Sequence, residues 1–242
     1  MKNLLLISNS TMAGEPYLKY TLPYIKSFLE KIHFENHKPV IFIPYAAVTF
    51  SFDQYEQKVN EALKELNIKV QSIHKFEDKK SALKNAGLII TGGGNTWHLV
   101  KTLQEERLIN VLFDVVTSGI PYIGWSAGAN IACPTLKTTN DMPIVEPQSF
   151  QTISLIDFQI NPHYLDANPE GHAGETREQR IEEFITANKN TYVVGLREGT
   201  MLQIDDNSII LLGNKNARIF KYGKKPEEIP PETNLKKLLT IK

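Results

Sequence analysis

Short apolar runs alternate along the first half of the chain with stretches in which apolar residues recur every three or four positions. Residues 4–7, Val40–Ile43 and Leu88–Thr91 are runs of strand length, and residues 68–73 make a further strand. Between them, Tyr24, Ile25, Phe28, Leu29 and Ile32 share one helical face, as do Tyr55, Val59, Leu63 and Leu66. A further helical region, marked by Leu99 and Leu103 and then by Val111 and Val115, precedes the run 120–123. Apolar strands separated by amphipathic helices predict a mostly parallel sheet covered on both faces. Right-handed crossovers then make a doubly wound α/β fold, whose functional loops gather at the carboxyl ends of the strands.

The second half changes character. Residues 153–160 read as a strand, 161–174 as a polar, glycine-bearing loop, and Ile181, Phe184 and Ile185 as a helix face. Residues 192–195 read as another strand. Residues 201–204, 208–212 and 217–221 read as short antiparallel strands near the C-terminus, with Asp205-Asp206-Asn207 turning the first pair. The tail, with Lys224, Lys225, Pro226, Pro230 and Pro231, reads as an irregular strap. The pattern fits one α/β domain over residues 1–242.

Composition narrows the functional classes. Lys+Arg and Asp+Glu each number 27, so the formal net charge is zero and the basic excess of a nucleic-acid-binding protein is missing. The lone Cys133 can form neither an internal disulfide nor a zinc framework of paired cysteines, which points to a reducing compartment, the cytoplasm. The run at 4–7 stops at Ser8, too short for a secretory signal. No stretch approaches the ~18 apolar residues of a membrane helix. Neither a membrane nor a nucleic acid is expected as partner, and both a monomer and a homodimer are compatible with the Leu/Ile-rich helices.

The pentapeptide Gly124-Trp125-Ser126-Ala127-Gly128 follows the run 120–123 and opens a short helical stretch, 127–133. G-x-S-x-G between a strand and a helix is a nucleophile elbow: the glycines let strand and helix approach, and the serine hydroxyl projects from the sheet edge. The competing reading is a tight strand-to-helix connection built from small residues for packing. A serine needs a base and a group that orients the base. Of six histidines, His163 in Asn161-Pro162-His163 directly follows a predicted strand and is the candidate base, with His172 as the alternative. Glu198, in Gly195-Leu196-Arg197-Glu198-Gly199, and Asp141, in the loop after the elbow helix, compete as the orienting acid. An oxyanion hole needs backbone N–H donors. Ala127, next after the serine, supplies one; the side-chain-free turn Gly92-Gly93-Gly94-Asn95 offers a second, from Gly93 or Gly94. That turn lacks the Lys-Ser/Thr ending of a phosphate-binding loop.

These segments together resemble peptidase E, the alpha-aspartyl dipeptidases. The resemblance is carried by Gly92-Gly93-Gly94-Asn95-Thr96, the elbow with Ala129 and Asn130, Thr139-Asn140-Asp141-Met142-Pro143, and Asn161-Pro162-His163. It continues in Pro169-Glu170-Gly171-His172 and in Gly174-Glu175-Thr176-Arg177-Glu178-Gln179-Arg180. The resemblance implies a cytoplasmic serine peptidase, without metal or cofactor, that cleaves dipeptides with N-terminal aspartate. It also implies a fold like that of the class I glutamine amidotransferases (flavodoxin-like), with Ser126 in place of their cysteine. Carried over, Ser126 is the nucleophile, His163 the base and Glu198 the orienting acid. Asp141 then lies near the substrate amine, with Asn95 also in the substrate site, and Arg177 faces the substrate's side-chain carboxylate. A guanidinium suits that task because its planar fork pairs bidentately with carboxylate. Thr176 and Gln179 also have the spacing of a capping box, which makes Arg177 a first-turn surface residue in the plainer reading.

Three alternatives follow from the same residues. A cyanophycinase-like peptidase shares the elbow. An alpha/beta-hydrolase esterase runs in the order serine, acid, histidine, which Ser126-Asp141-His163 keeps and Ser126-His163-Glu198 breaks. A non-catalytic small-molecule-binding protein would keep the scaffold with an unreactive serine.

Overall fold

The apolar runs become the strands of one large sheet in the computed structural model, which describes residues 2–35, 37–168, 171 and 173–239. The first half alternates strands and helices: β1 (Asn3–Ile7), α1 (Leu22–Lys31), β2 (Val40–Ile43), α2 (Phe52–Leu63), β3 (Val70–Ser72), α3 (Lys79–Lys84) and β4 (Leu88–Thr91). It continues with α4 (Thr96–Glu105), α5 (Ile109–Thr117), β5 (Tyr122–Trp125) and the single turn α6 (Ala127–Asn130). The second half adds β6 (Gln159–Tyr164), α7 (Arg177–Ala187), β7 (Val193–Arg197), β8 (Thr200–Asp205), β9 (Ile209–Gly213), β10 (Ala217–Phe220), β11 (Glu227–Ile229) and α8 (Lys236–Leu239).

The large sheet runs in the order β3-β2-β4-β5-β1-β8-β9. Its first five strands are parallel and linked by helical crossovers, while β8 and β9 extend it antiparallel beyond β1. Successive side chains of a strand point to opposite faces, and the cores divide accordingly. Leu4, Leu6, Ile41, Ile43, Ile89 and Tyr122 pack with α3, α4 and α5, whereas Leu5, Ile7, Val40, Phe42, Ile90 and Trp125 pack with α1 and α2. Continuous apolar runs are thus required because each strand is buried on both sides. A second sheet, β11-β10-β7-β6, is mixed: β6 and β7 are parallel and the other two pairs antiparallel. The α7 residues Ile181 and Ile185 cover it, packed with Tyr164, Val193 and Phe220.

The fold is the expected mixed α/β class, with differences in the second half. Residues 153–158 form no strand; their backbone bonds back to Ile131, Ala132 and Cys133, and their apolar side chains join the core there. The strand begins at Gln159, where pairing with Val193 of β7 starts. His163 therefore sits inside β6 and not in a loop beyond it. β10 leaves the large sheet to pair with β7, and the tail is no irregular strap: β11 pairs with β10, while Leu235 and Leu239 are buried. Short apolar segments specify burial without naming their partner strand. The Asp205 turn does form, its carboxylate accepting the N–H groups of Asn207 (2.8 Å) and Ser208 (2.7 Å).

Candidate active site

β5 carries the chain to Ser126 at the carboxyl edge of the sheet, between β4 and β1. The Ser126 N–H donates to the Ile7 carbonyl at 3.0 Å, and the residue then turns sharply, with φ 53° and ψ −113°. Both elbow glycines are sterically required. A Cβ at Gly124 would lie 2.3 Å from the Gly128 carbonyl oxygen, and one at Gly128 would lie 2.2 Å from the Thr91 oxygen. The following helix is one turn long, shorter than the run 127–133, so it contributes local N–H groups and little macrodipole.

The candidate base, His163, arrives from the second sheet. Pairing of β6 with β7 steps from Pro162–Leu196 to Tyr164–Arg197, leaving His163 as the extra residue of a bulge, with φ 54°. A bulge re-aims one side chain. Here it sends the imidazole to the elbow: His163 Nε2 lies 2.9 Å from Ser126 Oγ, and Nδ1 lies 2.7 Å from Glu198 Oε1. Glu198 occupies the tight turn between β7 and β8, which keeps base and acid side by side.

Two buried residues after β1 hold this arrangement. The Ser8 hydroxyl donates to the Leu196 carbonyl (2.7 Å) and accepts the His163 N–H (3.0 Å). Asn9 Oδ1 accepts the Gly199 N–H at 2.9 Å and the Tyr20 hydroxyl at 2.5 Å, which fixes the turn beside Glu198. Neither was singled out in the sequence, although polar residues at the carboxyl end of a buried strand were the available signal.

The structure places Asp141 at the start of α4 and not against His163. Its Oδ2 accepts from the Thr96 N–H (2.7 Å), the Thr96 hydroxyl (2.6 Å) and the Thr139 hydroxyl (3.0 Å) at the start of α4. The carboxylate in contact with His163 is that of Glu198. The three residues in contact run in the chain order Ser126, His163, Glu198, which differs from the alpha/beta-hydrolase order. Asn95 caps α4 through the His98 N–H (3.0 Å) and holds the Met142 carbonyl (2.9 Å). His172 lies outside the described residues.

The glycine turn abuts Ser126. A Cβ at Gly93 would come within 2.9 Å of Ser126 Cβ, and Gly94, at φ 135°, lies against the Ala46 carbonyl. Among the described residues, the N–H groups of Gly93, Gly94 and Ala127 have no protein acceptor, which leaves them available to an oxyanion.

A cavity of about 200 Å³ lies between α7 and the loop 137–141, lined by Asn140, Asp141, Asn161, Arg177, Arg180 and Phe184 among others. Asn140 joins it to the base strand by donating to the Pro162 carbonyl at 2.6 Å. Thr176 and Gln179 form the expected capping box, which places Arg177 at the first position of α7. Burial, with Arg180 nearby, holds the Arg177 pKa below its usual value, and Asp141 opposes that shift. A larger groove of about 740 Å³, between Pro16–Leu22 and α2, contains none of these groups and no nucleophile–base pair. Cys133 is fully buried and its thiol is pushed up to about 12 by that burial, so it is no candidate nucleophile.

The profile of peptidase family S51 matches residues 4–212. This chain belongs to peptidase family S51. Among curated relatives, a peptidase E from Nostoc sp. is 50% identical over 238 residues, covering 98% of this chain and 97% of its own. A peptidase E from Salmonella paratyphi A is 46% identical (91% and 94% covered), and one from Shigella flexneri is 44% identical (95% and 97%). Among solved structures, a peptidase from an acI-B1 Actinobacterium matches with a TM-score of 0.70 at 19% identity, covering 97% and 96% of the two chains. A putative peptidase E protein from Listeria monocytogenes matches with a TM-score of 0.63 at 24% identity, covering 88% and 98%. These structures share the fold. The coarse activity, a peptidase, follows from the family, and no helix among the described residues is long and apolar enough to cross a membrane.

Proposed function

We propose that this S51 member is a cytoplasmic serine peptidase that hydrolyses dipeptides with N-terminal aspartate through an acyl-enzyme on Ser126. The observation that carries the reading is the continuous chain Ser126 Oγ, His163, Glu198, with contacts of 2.9 and 2.7 Å. His163 Nε2 takes the hydroxyl proton as Oγ attacks the peptide carbonyl, and Glu198 stabilises the imidazolium that forms. The N–H groups of Ala127 and of the glycine turn receive the negative oxygen of the tetrahedral intermediate. His163 then protonates the departing amine, and in the second half it activates water against the aspartyl ester. Every proton passes through one imidazole, so the scheme needs no cofactor.

The selectivity reading rests on charge. Arg177 has no hydrogen-bonded carboxylate partner among the described residues, and a desolvated guanidinium favours an incoming carboxylate. Asp141 lines the same cavity and supplies the negative charge that the substrate ammonium requires. The test is hydrolysis of Asp-Leu against Ala-Leu and Asn-Leu by wild type and by Ser126→Ala. Asp-selective cleavage abolished by the substitution supports the reading; a folded wild type that cleaves none of them overturns it.

A further inference from the structure

The hydroxyl of Tyr55 lies beneath the glycine turn at the centre of a small buried network. It donates to the Gly93 carbonyl (2.9 Å) and accepts from Trp125 Nε1 (3.2 Å) and from the Tyr17 hydroxyl (3.2 Å). A phenol has one proton and two lone-pair sites, so its bonding capacity is filled. Burial raises the pKa of the phenol above its ordinary value, which keeps it a neutral donor through the working pH range. Its ring is held edge-on by Phe42 (4.9 Å between centroids) and Phe50 (5.2 Å). Two of its three partners flank the chemistry directly, since Trp125 precedes the nucleophile and Gly93 touches it.

All peptide bonds in the described chain are trans. In a trans peptide the C=O and the following N–H lie in one plane and point in opposite directions. A hydrogen bond that draws the Gly93 carbonyl down to Tyr55 therefore turns the Gly94 N–H away from the aromatic cluster. That N–H has no acceptor among the described residues. Hydrogen bonding at the carbonyl also polarises the peptide, which makes its N–H a stronger donor. The spacing of the turn agrees. A Cβ at Gly92 would lie 2.5 Å from the Tyr55 hydroxyl, and one at Gly93 would lie 2.9 Å from Ser126 Cβ. The first glycine makes room for the anchor and the second for the nucleophile.

We propose that Tyr55 is a positioning residue for the oxyanion hole: its hydroxyl locks the Gly93–Gly94 peptide so that the Gly94 N–H is pre-aimed at the negative charge developing on the substrate carbonyl. The proposal rests on the serine-peptidase reading above. Tyr55 does not touch the reacting atoms; it acts through the peptide and ties that peptide to the strand that presents Ser126.

The experiment uses Tyr55→Phe, which keeps the ring, and Tyr17→Phe, which removes the other hydroxyl of the network without touching Gly93. Three quantities are read: kcat and KM on Asp-Leu, the pH profile of kcat/KM, and the rate of Ser126 labelling by a fluorophosphonate, whose P=O oxygen also needs the oxyanion donors. Losing one such donor costs about 10²–10³ in kcat; misaiming it should cost about 10- to 100-fold. Tyr55→Phe should therefore lower kcat and the labelling rate together by that factor. KM should stay within threefold and the pH profile unchanged, because the imidazole is untouched. Tyr17→Phe should stay within threefold on every count. Gly92→Ala reaches the same contact from the other side and should give the same loss of kcat, which covers the case of a Tyr55→Phe that fails to fold. Wild-type labelling without Asp-Leu cleavage would sink the substrate reading alone, and the ratio of labelling rates would still decide the role of Tyr55. Active wild type with Tyr55→Phe equally fast, or with kcat loss matched by Tyr17→Phe, overturns the proposal. A wild type that neither labels nor cleaves overturns both readings.

Discussion

Replacing Glu198 by glutamine keeps the shape of its contact with His163 and removes the charge. The wild-type carboxylate accepts from Nδ1 at 2.7 Å, which leaves Nε2 as the acceptor for the Ser126 proton 2.9 Å away. A hydrogen bond to a charged group contributes about 1.5–3 kcal/mol, and unit charges 4 Å apart attract by about 1 kcal/mol in water and about 4 kcal/mol at an effective dielectric of 20. The His163 and Glu198 side chains are 39% and 42% exposed, so solvent screens the pair and the lower part of that range applies. A loss of about 1.5–2.5 kcal/mol lowers kcat by about 10- to 70-fold. That is far less than the roughly 10⁴-fold cost where a buried triad aspartate is replaced and the imidazole is locked in the wrong tautomer. At Glu198 the half-exposed amide can rotate to present its carbonyl to Nδ1–H. Steady-state release of leucine from Asp-Leu measures the effect, with KM expected within threefold. A Glu198→Gln enzyme with wild-type kcat would refute the assignment of Glu198 as orienting acid.

Other expectations concern the elbow, the cation, the thiol and the second sheet. Gly128→Ala forces a Cβ to 2.2 Å from the Thr91 oxygen, an overpacking of about 1–3 kcal/mol or more; thermal melting should fall by about 2–4 °C per kcal/mol, and an unchanged Tm would contradict the steric account. Arg177→Ala should lower kcat/KM on Asp-Leu by about 10- to 100-fold, the equivalent of a charged hydrogen bond, while leaving fluorophosphonate labelling of Ser126 near wild type; equal losses in both assays would point to a structural role. Cys133 should resist iodoacetamide in the native protein at pH 7.5 and react after denaturation, read by mass spectrometry, because burial holds its thiol near pH 12. Asp166 and Glu228 are held below the usual carboxylate range by hydrogen bonds from Arg197. Their contribution to stability is complete above the ordinary carboxylate pKa and is lost as pH falls through the depressed values. The Tm should therefore drop more steeply below about pH 4 in wild type than in Arg197→Met, and parallel curves would refute that linkage.

Much of this molecule is written in local pattern. The runs that form β1, β2 and β4 are buried on both faces, and that demand appears directly as nearly continuous Leu, Ile, Val and Phe. The elbow is legible because its glycines answer clashes within a few residues of chain and with the neighbouring strand end, and the Thr176–Gln179 capping box is local by definition. The partner of each late strand was not legible, since segments such as Ala217–Phe220 and Glu227–Ile229 are too short to specify a neighbour by composition. The choice between Asp141 and Glu198 also lay beyond the pattern. Both are carboxylates in glycine- or asparagine-flanked loops, and only the packing of β6 beside β7 decides which one meets His163. Nor does any spacing reveal Ser8, Asn9 or Tyr55, whose contacts span 155, 190 and 38 residues of chain. Sequence alone settles which residue types are buried and where the backbone must turn, because those are short-range consequences of hydrophobicity and steric fit. The alignment of His163, Glu198 and the N–H groups around Ser126 depends on hydrogen bonds between distant segments, and these exist only once both sheets have formed.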